Sequence, residues 1–149
     1  MKVAVGCDHA GFPLKETVIA ALRKLGAEVV DFGTHSLESV DYPDFGERVG
    51  RAVASGEVDR GVVICGTGIG VSIAANKVPG VRAALCHDVY SARMSRAHND
   101  ANVLAMGARV IGPGLAEAIV EAWLTTSFEG GRHRVRVDKL NRIGNPREE

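Results

Sequence analysis

Five short apolar runs punctuate the chain: KVAVG at 2–6, AEVVDF at 27–32, GVVIC at 61–65, RAALC at 82–86 and ARVIG at 108–112. Each is too short for a stable helix and almost unbroken in its apolar residues, the pattern of a strand buried on both faces. The segments between them change period. In 14–25 the apolar residues are Leu14, Val18, Ala21, Leu22 and Leu25, one helical face, and helical periodicity also runs through 44–54, 89–97 and 115–125. Gly26 stands where the first helix must stop. Strands alternating with helices predict an α/β protein whose parallel sheet is covered on both sides.

Composition narrows the class. A chain of 149 residues fits one domain, 1–149, and can bury a core without disulfide staples. Hydrophobic residues make up 46% and charged residues 24%, and the formal net charge is zero, so no field of one sign attracts nucleic acid or a membrane surface. Aromatics at 5% give few stacking platforms for bases. The longest uncharged stretch, Gly61 to Asn76, is too short and too rich in glycine to span a bilayer, and Asp8 leaves no room for a signal-peptide core. Three widely spaced cysteines suit a reducing compartment, so a cytoplasmic location is expected. The polar tail GNPREE, 144–149, is expected to be loose.

Ligands of open α/β sheets bind beyond the carboxyl ends of the strands. Reactive residues gather there: CDH (7–9) after the first run, CGTGIG (65–70) after the third and CHD (86–88) after the fourth, with HND (98–100) further on. Cys7 and Cys86 read as small plugs of tight turns. Gly66, Gly68 and Gly70 allow positive φ and close backbone approach, and a helix starting near Gly70 turns its free N–H groups toward the strand end, an arrangement that holds an anion. Val71 breaks the dinucleotide fingerprint, and no Lys-Ser or Lys-Thr pair closes the loop as in a P-loop. Cys65 at the mouth of this loop adds chemistry, since a helix N-terminus favours a thiolate. That thiolate can attack a carbonyl carbon or take a proton from the carbon beside one, and spacing does not choose between the two.

Residues 132–142, RHRVRVDKLNR, place Arg132 and Arg136 four apart on one helical face, suited to a phosphate dianion. His9 and His98 stand beside polar residues near the expected ligand mouth, whereas His35, His87 and His133 read as solvated or capping residues. No C-x-x-C or H-x-x-x-H spacing points to a metal, and none is expected.

Several separated motifs then occur in a fixed order: VAVGCDHAGFPLKE (3–16), DYPDF (41–45), CGTGIGVSIAANKVPGVRAAL (65–85), SRAHNDANVLAMGARVIG (95–112) and FEGGRHRVRVDKL (128–140). In these the chain resembles the B-type ribose-5-phosphate isomerase family, which also includes allose-6-phosphate and galactose-6-phosphate isomerases. The resemblance implies a three-layer α/β/α, Rossmann-like sandwich with five parallel strands. It also implies a homodimer or a pair of dimers with active sites at the interface, and no metal or organic cofactor. The implied reaction is aldose–ketose exchange of ribose 5-phosphate and ribulose 5-phosphate through a cis-enediolate, in the non-oxidative branch of the pentose phosphate pathway.

Site residues carry over by position. Cys65 matches the base, His98 the acid that opens the sugar ring, and Asp8 the acceptor of the anomeric hydroxyl proton. Thr67 matches the group that passes protons between the two sugar oxygens. The backbone of Gly66, Thr67, Gly68, Ile69 and Gly70 matches the enediolate site. His9, Arg109, Arg132 and Arg136 match phosphate contacts, Asn99 a hydroxyl contact, and Tyr42 the pocket wall. His98, Asn99 and Arg109 are expected to reach into a partner's site. A subgroup of the family places a glutamate base at the position of Val71; here the thiol is present and that glutamate is not. Two readings of other classes compete: a cysteine hydrolase or amidotransferase with Cys65 as nucleophile, and a non-catalytic phosphosugar-binding module. Sugar length is open in the sequence, with six-carbon phosphates as the alternative substrates.

Overall fold

The computed structural model describes residues 1–144, so the tail expected to be loose lies, apart from Gly144, outside the described residues. The elements are β1 (Lys2–Cys7), α1 (Phe12–Lys24), β2 (Glu28–Asp31), α2 (Tyr42–Ser55), β3 (Arg60–Cys65), α3 (Ile69–Asn76), β4 (Ala83–Leu85), α4 (Val89–Ala97), β5 (Val103–Gly107), α5 (Pro113–Thr125) and α6 (Arg132–Arg142). All five strands are parallel, in the order β2-β1-β3-β5-β4. Among the described residues no helix is long and apolar enough to cross a membrane.

The strand period of two splits the core into two layers. Val3, Val5, Val62, Ile64, Leu104 and Met106 face α1 and α5, where Leu22, Ile119 and Trp123 are fully buried. Ala4, Val63, Cys65, Val103 and Ala105 face the other way, onto Val49 and Ala52 of α2 and Val71 and Ala75 of α3. Gly46 lets α2 close on α3, since a Cβ there would stand 2.9 Å from the Val71 carbonyl oxygen. The α/β/α expectation holds.

The fifth strand is not where the apolar run at 108–112 predicts it. Val103–Gly107 forms the ladder with β3, Gly61 against Val103 through Cys65 against Gly107. A strand at 108–112 would carry Arg109 into the buried sheet, at a cost no partner there offsets. The chain instead turns after Gly107, with the Ala108 and Arg109 N–H groups donating to the carbonyls of Cys65 and Gly66 at 2.9 and 3.0 Å.

Candidate active site

Because β2 lies on one side of β1 and β3 on the other, the connections leaving β1 and β3 diverge. The carboxyl ends of these two strands are therefore the topological switch point of the sheet, where a crevice opens for a ligand. Asp8 and His9 follow β1 at this point, and Cys65 ends β3 with Gly66 to Gly68 after it. The two loops are laced together: the Asp8 N–H donates to the Ile64 carbonyl at 3.3 Å.

Asp8 is buried and accepts the Gly11 N–H at 2.9 Å, which fixes its carboxylate at the start of α1. Nδ1 of His9 accepts the Val40 N–H at 3.1 Å, leaving Nε2 to carry the proton. Cys65 is 5% exposed, and its Sγ accepts the Gly68 N–H at 3.2 Å. A thiolate accepts such a bond more strongly than a thiol. A hydrolase nucleophile needs an imidazole at this sulfur, and the group that meets it is a backbone N–H.

Of the three loop glycines only Gly68 takes a positive φ, +78°, in contrast to the latitude expected for all three. It caps α3, whose first turn follows at once, and Thr67 Oγ1 accepts the Ile69 N–H at 3.2 Å. Close approach requires glycine only at Gly70; at Gly66 a Cβ would make ordinary van der Waals contact. A Cβ on Gly66 would stand 3.5 Å from Cδ of Arg109, and one on Gly70 would come within 2.6 Å of the Tyr42 ring. Thus Asp8, His9, Tyr42, Cys65, Thr67 and Arg109 share one end of the sheet.

His98 and Asn99 do not join them. Helix α4 starts at the carboxyl end of β4 and must return to the amino end of β5, so its C-cap, His98, stands at the opposite end of the sheet from Cys65. A nine-residue helix carries the chain about 14 Å. Asn99 lines a cavity of about 600 Å³ there, with Arg82, Leu140 and Asn141. The segment before α6 is pinned beside His98 by the Glu129 N–H, which donates to the Ala97 carbonyl at 3.0 Å, so Arg132 and Arg136 belong to this second group. Arg109, expected to travel with His98 and Asn99, lies instead beside Gly66 of its own chain.

His133 departs from the solvated or capping role expected of it, whereas His87 fills a capping one. His133 is 6% exposed, not solvated, and its ring stacks on that of His98 with centroids 4.2 Å apart and planes 12° from parallel. Burial, then the neighbouring charges of His98 and Arg132, hold its pKa below the ordinary histidine value. Nε2 of His87 accepts the Gly107 N–H at 2.9 Å, tying the turn after β4 to the end of β5, where Gly107 backs Thr67. The position of His87 after an apolar run was the available signal; nothing local in the sequence announces the burial of His133. The donor atoms of His98, Glu129 and His133 lie within 4.8 Å of one another, so these three could hold a metal ion. Cys7 and Cys86 are structural: burial pushes both thiols up to about 11.

A thiol facing a helix N-terminus and a buried carboxylate can carry a proton to and from carbon, and the basic group can hold an anion; no single chain brings the two together. Against known proteins, the ribose/galactose isomerase family matches residues 3–140. The chain is 56% identical to ribose-5-phosphate isomerase B of Escherichia coli, over 95% of each chain. It is 45% identical to D-erythrulose-4-phosphate isomerase of Pectobacterium atrosepticum, over 94% of this chain and 93% of that one. The solved structure of Clostridium thermocellum ribose-5-phosphate isomerase B superposes with a TM-score of 0.94 at 62% identity, covering 96% of this chain and 97% of the other. With the match running from the first strand into the last helix, the chain belongs to the ribose/galactose isomerase family.

Proposed function

We propose that the protein is an isomerase of ribose 5-phosphate and ribulose 5-phosphate, with Cys65 as the base and each active site shared between two copies of the chain. The observation that carries this reading is the Cys65 thiol, in line with the Gly68 N–H at the switch point, in a chain 56% identical to an enzyme of that name. Asp8 takes the proton of the anomeric hydroxyl while His98 of a second copy gives one to the ring oxygen, so the furanose opens to the aldehyde. The Cys65 thiolate then removes the proton from C2, and the electron pair moves onto the carbonyl oxygen as an enediolate. Backbone N–H groups of 66–70 hold that oxygen, which is where negative charge grows in the transition state. Thr67 passes a proton between O1 and O2, and the Cys65 thiol returns its proton to C1, giving the ketose with the base restored.

The phosphate takes no part in bond making. His9, Arg109, Arg132 and Arg136 hold it, and Asn99 and Tyr42 set the sugar between the two ends, so that binding energy far from the reacting carbons fixes their position. Two features support the two-copy site. One chain keeps Cys65 and His98 at opposite ends of the sheet, and α3, beside the thiol, turns Ile69 and Ile73 outward, both more than half exposed. An exposed apolar face next to half a site is what a second copy would cover. Residues 1–149 act as one catalytic domain, and three free thiols favour the cytoplasm as its place of work.

Ribose 5-phosphate in D₂O with a chelator present tests the reading by NMR. Ribulose 5-phosphate is expected to appear with solvent deuterium at the transferred position, and Cys65→Ala is expected to bind the sugar but turn over at least about a hundredfold more slowly. Saturable binding without exchange in the unsubstituted protein would instead leave a phosphosugar-binding module. A relative at 45% identity is named for a four-carbon phosphate, so sugar length is to be tested directly. The kcat/KM values for erythrulose 4-phosphate, ribose 5-phosphate and allose 6-phosphate rank the substrates, with ribose 5-phosphate expected to lead.

A further inference from the structure

His133 poses a problem that the isomerase reading leaves unsolved. Its Nε2 is buried and makes no hydrogen bond, although a Glu129 carboxylate oxygen lies 3.4 Å away, out of hydrogen-bond alignment. A buried polar atom without a partner is costly, and natural proteins seldom keep one without a use. The surroundings point to a ligand for that lone pair: a second imidazole, His98, stacked at 4.2 Å, and a carboxylate on the open side.

We propose that His98, Glu129 and His133 form a binding site for Zn²⁺, and that a cation seated there switches the isomerase off by engaging His98. The second half rests on His98 being the ring-opening acid. The chemistry of the donor set selects the metal. Two imidazoles and a carboxylate suit zinc and its transition-metal neighbours, whereas magnesium and calcium demand oxygen ligands. Three protein ligands leave the fourth tetrahedral position to water. Zinc bonds of roughly 2.0–2.2 Å set ligand atoms roughly 3.5 Å apart, and the three donors already lie within 4.8 Å of one another; closing the site requires one imidazole to swing out of the His98–His133 stack so that both ring planes meet at the ion.

The backbone beneath is already shaped for this. Glu129 is tied to the end of α4 through the Ala97 carbonyl, and His133 N–H donates to the Gly130 carbonyl at 3.0 Å. Between them Gly130 and Gly131 take φ values of +68° and +55°, which turn the chain so that the Glu129 carboxylate comes back over the first turn of α6. Arg132 and Arg136 oppose a cation, but both are exposed and screened by solvent. A metal on His98 occupies the nitrogen that would otherwise give its proton to the sugar ring, so turnover of the cyclic substrate stops while the thiol half of the site is untouched.

Binding is measured first and without sugar. Calorimetric titration with Zn²⁺ is expected to show one ion per chain, and Co²⁺ in its place to show the intense visible bands of a tetrahedral site. Loss of an outer-shell partner alone weakens metal sites by tenfold or more, so Glu129→Gln and His133→Asn should each weaken Zn²⁺ by at least about tenfold. Glu129 is exposed, so Glu129→Gln keeps the test valid even where His133→Asn misfolds. Cys65→Ser should bind as the parent does. No binding, equal affinity in Glu129→Gln, or loss of binding in Cys65→Ser overturns the site, the last by placing the ion on the thiol. Zn²⁺ should also suppress turnover along the same saturation curve, with recovery on adding a chelator. Full turnover at saturating Zn²⁺ would keep the site and overturn the switch together with the role of His98. A protein with no isomerase activity at all would overturn the switch alone, because the binding arm is independent of turnover.

Discussion

If one active site draws its thiol from one copy of the chain and its acid from another, two dead variants should restore each other. The variants are Cys65→Ala and His98→Asn. Strand β5 rises about 3.3 Å per residue over five residues and α4 returns about 14 Å, so the two side chains of one copy stand at ends of the sheet separated by roughly 15 Å. Proton transfer requires donor and acceptor within about 3 Å of the reacting atoms, so a single chain cannot apply both groups to one sugar. Each homodimer of a variant therefore carries the same lesion in both sites and should fall by a factor of about 10² to 10⁴. A dimer with one copy of each variant is different. One of its sites holds both lesions, and the other holds Cys65 from one chain and His98 from its partner. Co-expression with two different tags and purification on both isolates that hybrid, and its turnover per dimer should be about half that of the unsubstituted dimer, as two-fold symmetry requires. Recovery thus exceeds either parent by at least about fiftyfold. A purified hybrid no more active than its parents would refute the shared site, because sites contained within one chain would all be broken.

The remaining predictions concern single residues. Gly68→Ala must hold a side chain at φ +78° and push a Cβ to 2.7 Å from the Met106 carbonyl carbon, so thermal denaturation should show a loss of at least about 1–2 kcal/mol; an unchanged melting temperature would contradict this. Gly70→Ala meets only the ring of Tyr42, itself half exposed, so its stability should be nearly kept while KM for the sugar phosphate rises. Arg136→Ala, at an exposed position, should alter stability by under about 0.5 kcal/mol yet raise KM at least about tenfold; equal KM would remove Arg136 from the phosphate site. Cys7 and Cys86 hold their protons up to about 11 in the folded state against 9.0 for a free thiol, so stability is fully present below pH 9 and falls as pH rises from there. Two pH units amount to up to about 3 kcal/mol per thiol, and Cys7→Ala with Cys86→Ala should flatten the alkaline limb of urea denaturation. A limb of the same slope in that double variant would count against burial as the cause.

Sequence by itself determined the alternation of strand and helix, since apolar periodicity is a local property written in neighbouring residues; α4 begins and ends where 89–97 predicts. It also marked the thiol loop, because glycines at every second position beside Cys65 free the backbone for positive φ and close approach wherever the chain goes. Its error over the fifth strand has a local cause too: VLAMG and ARVIG are both apolar, and only pairing with β3 decides between them. Tertiary structure alone decided the rest. That His133 is buried against His98, that Arg109 lies on Gly66 of its own chain, and that Cys65 and His98 stand at opposite ends of the sheet all follow from strand order and from the return path of each helix. These are distances between residues far apart along the chain, and a parallel sheet sets them through its crossovers, which no window of local sequence contains.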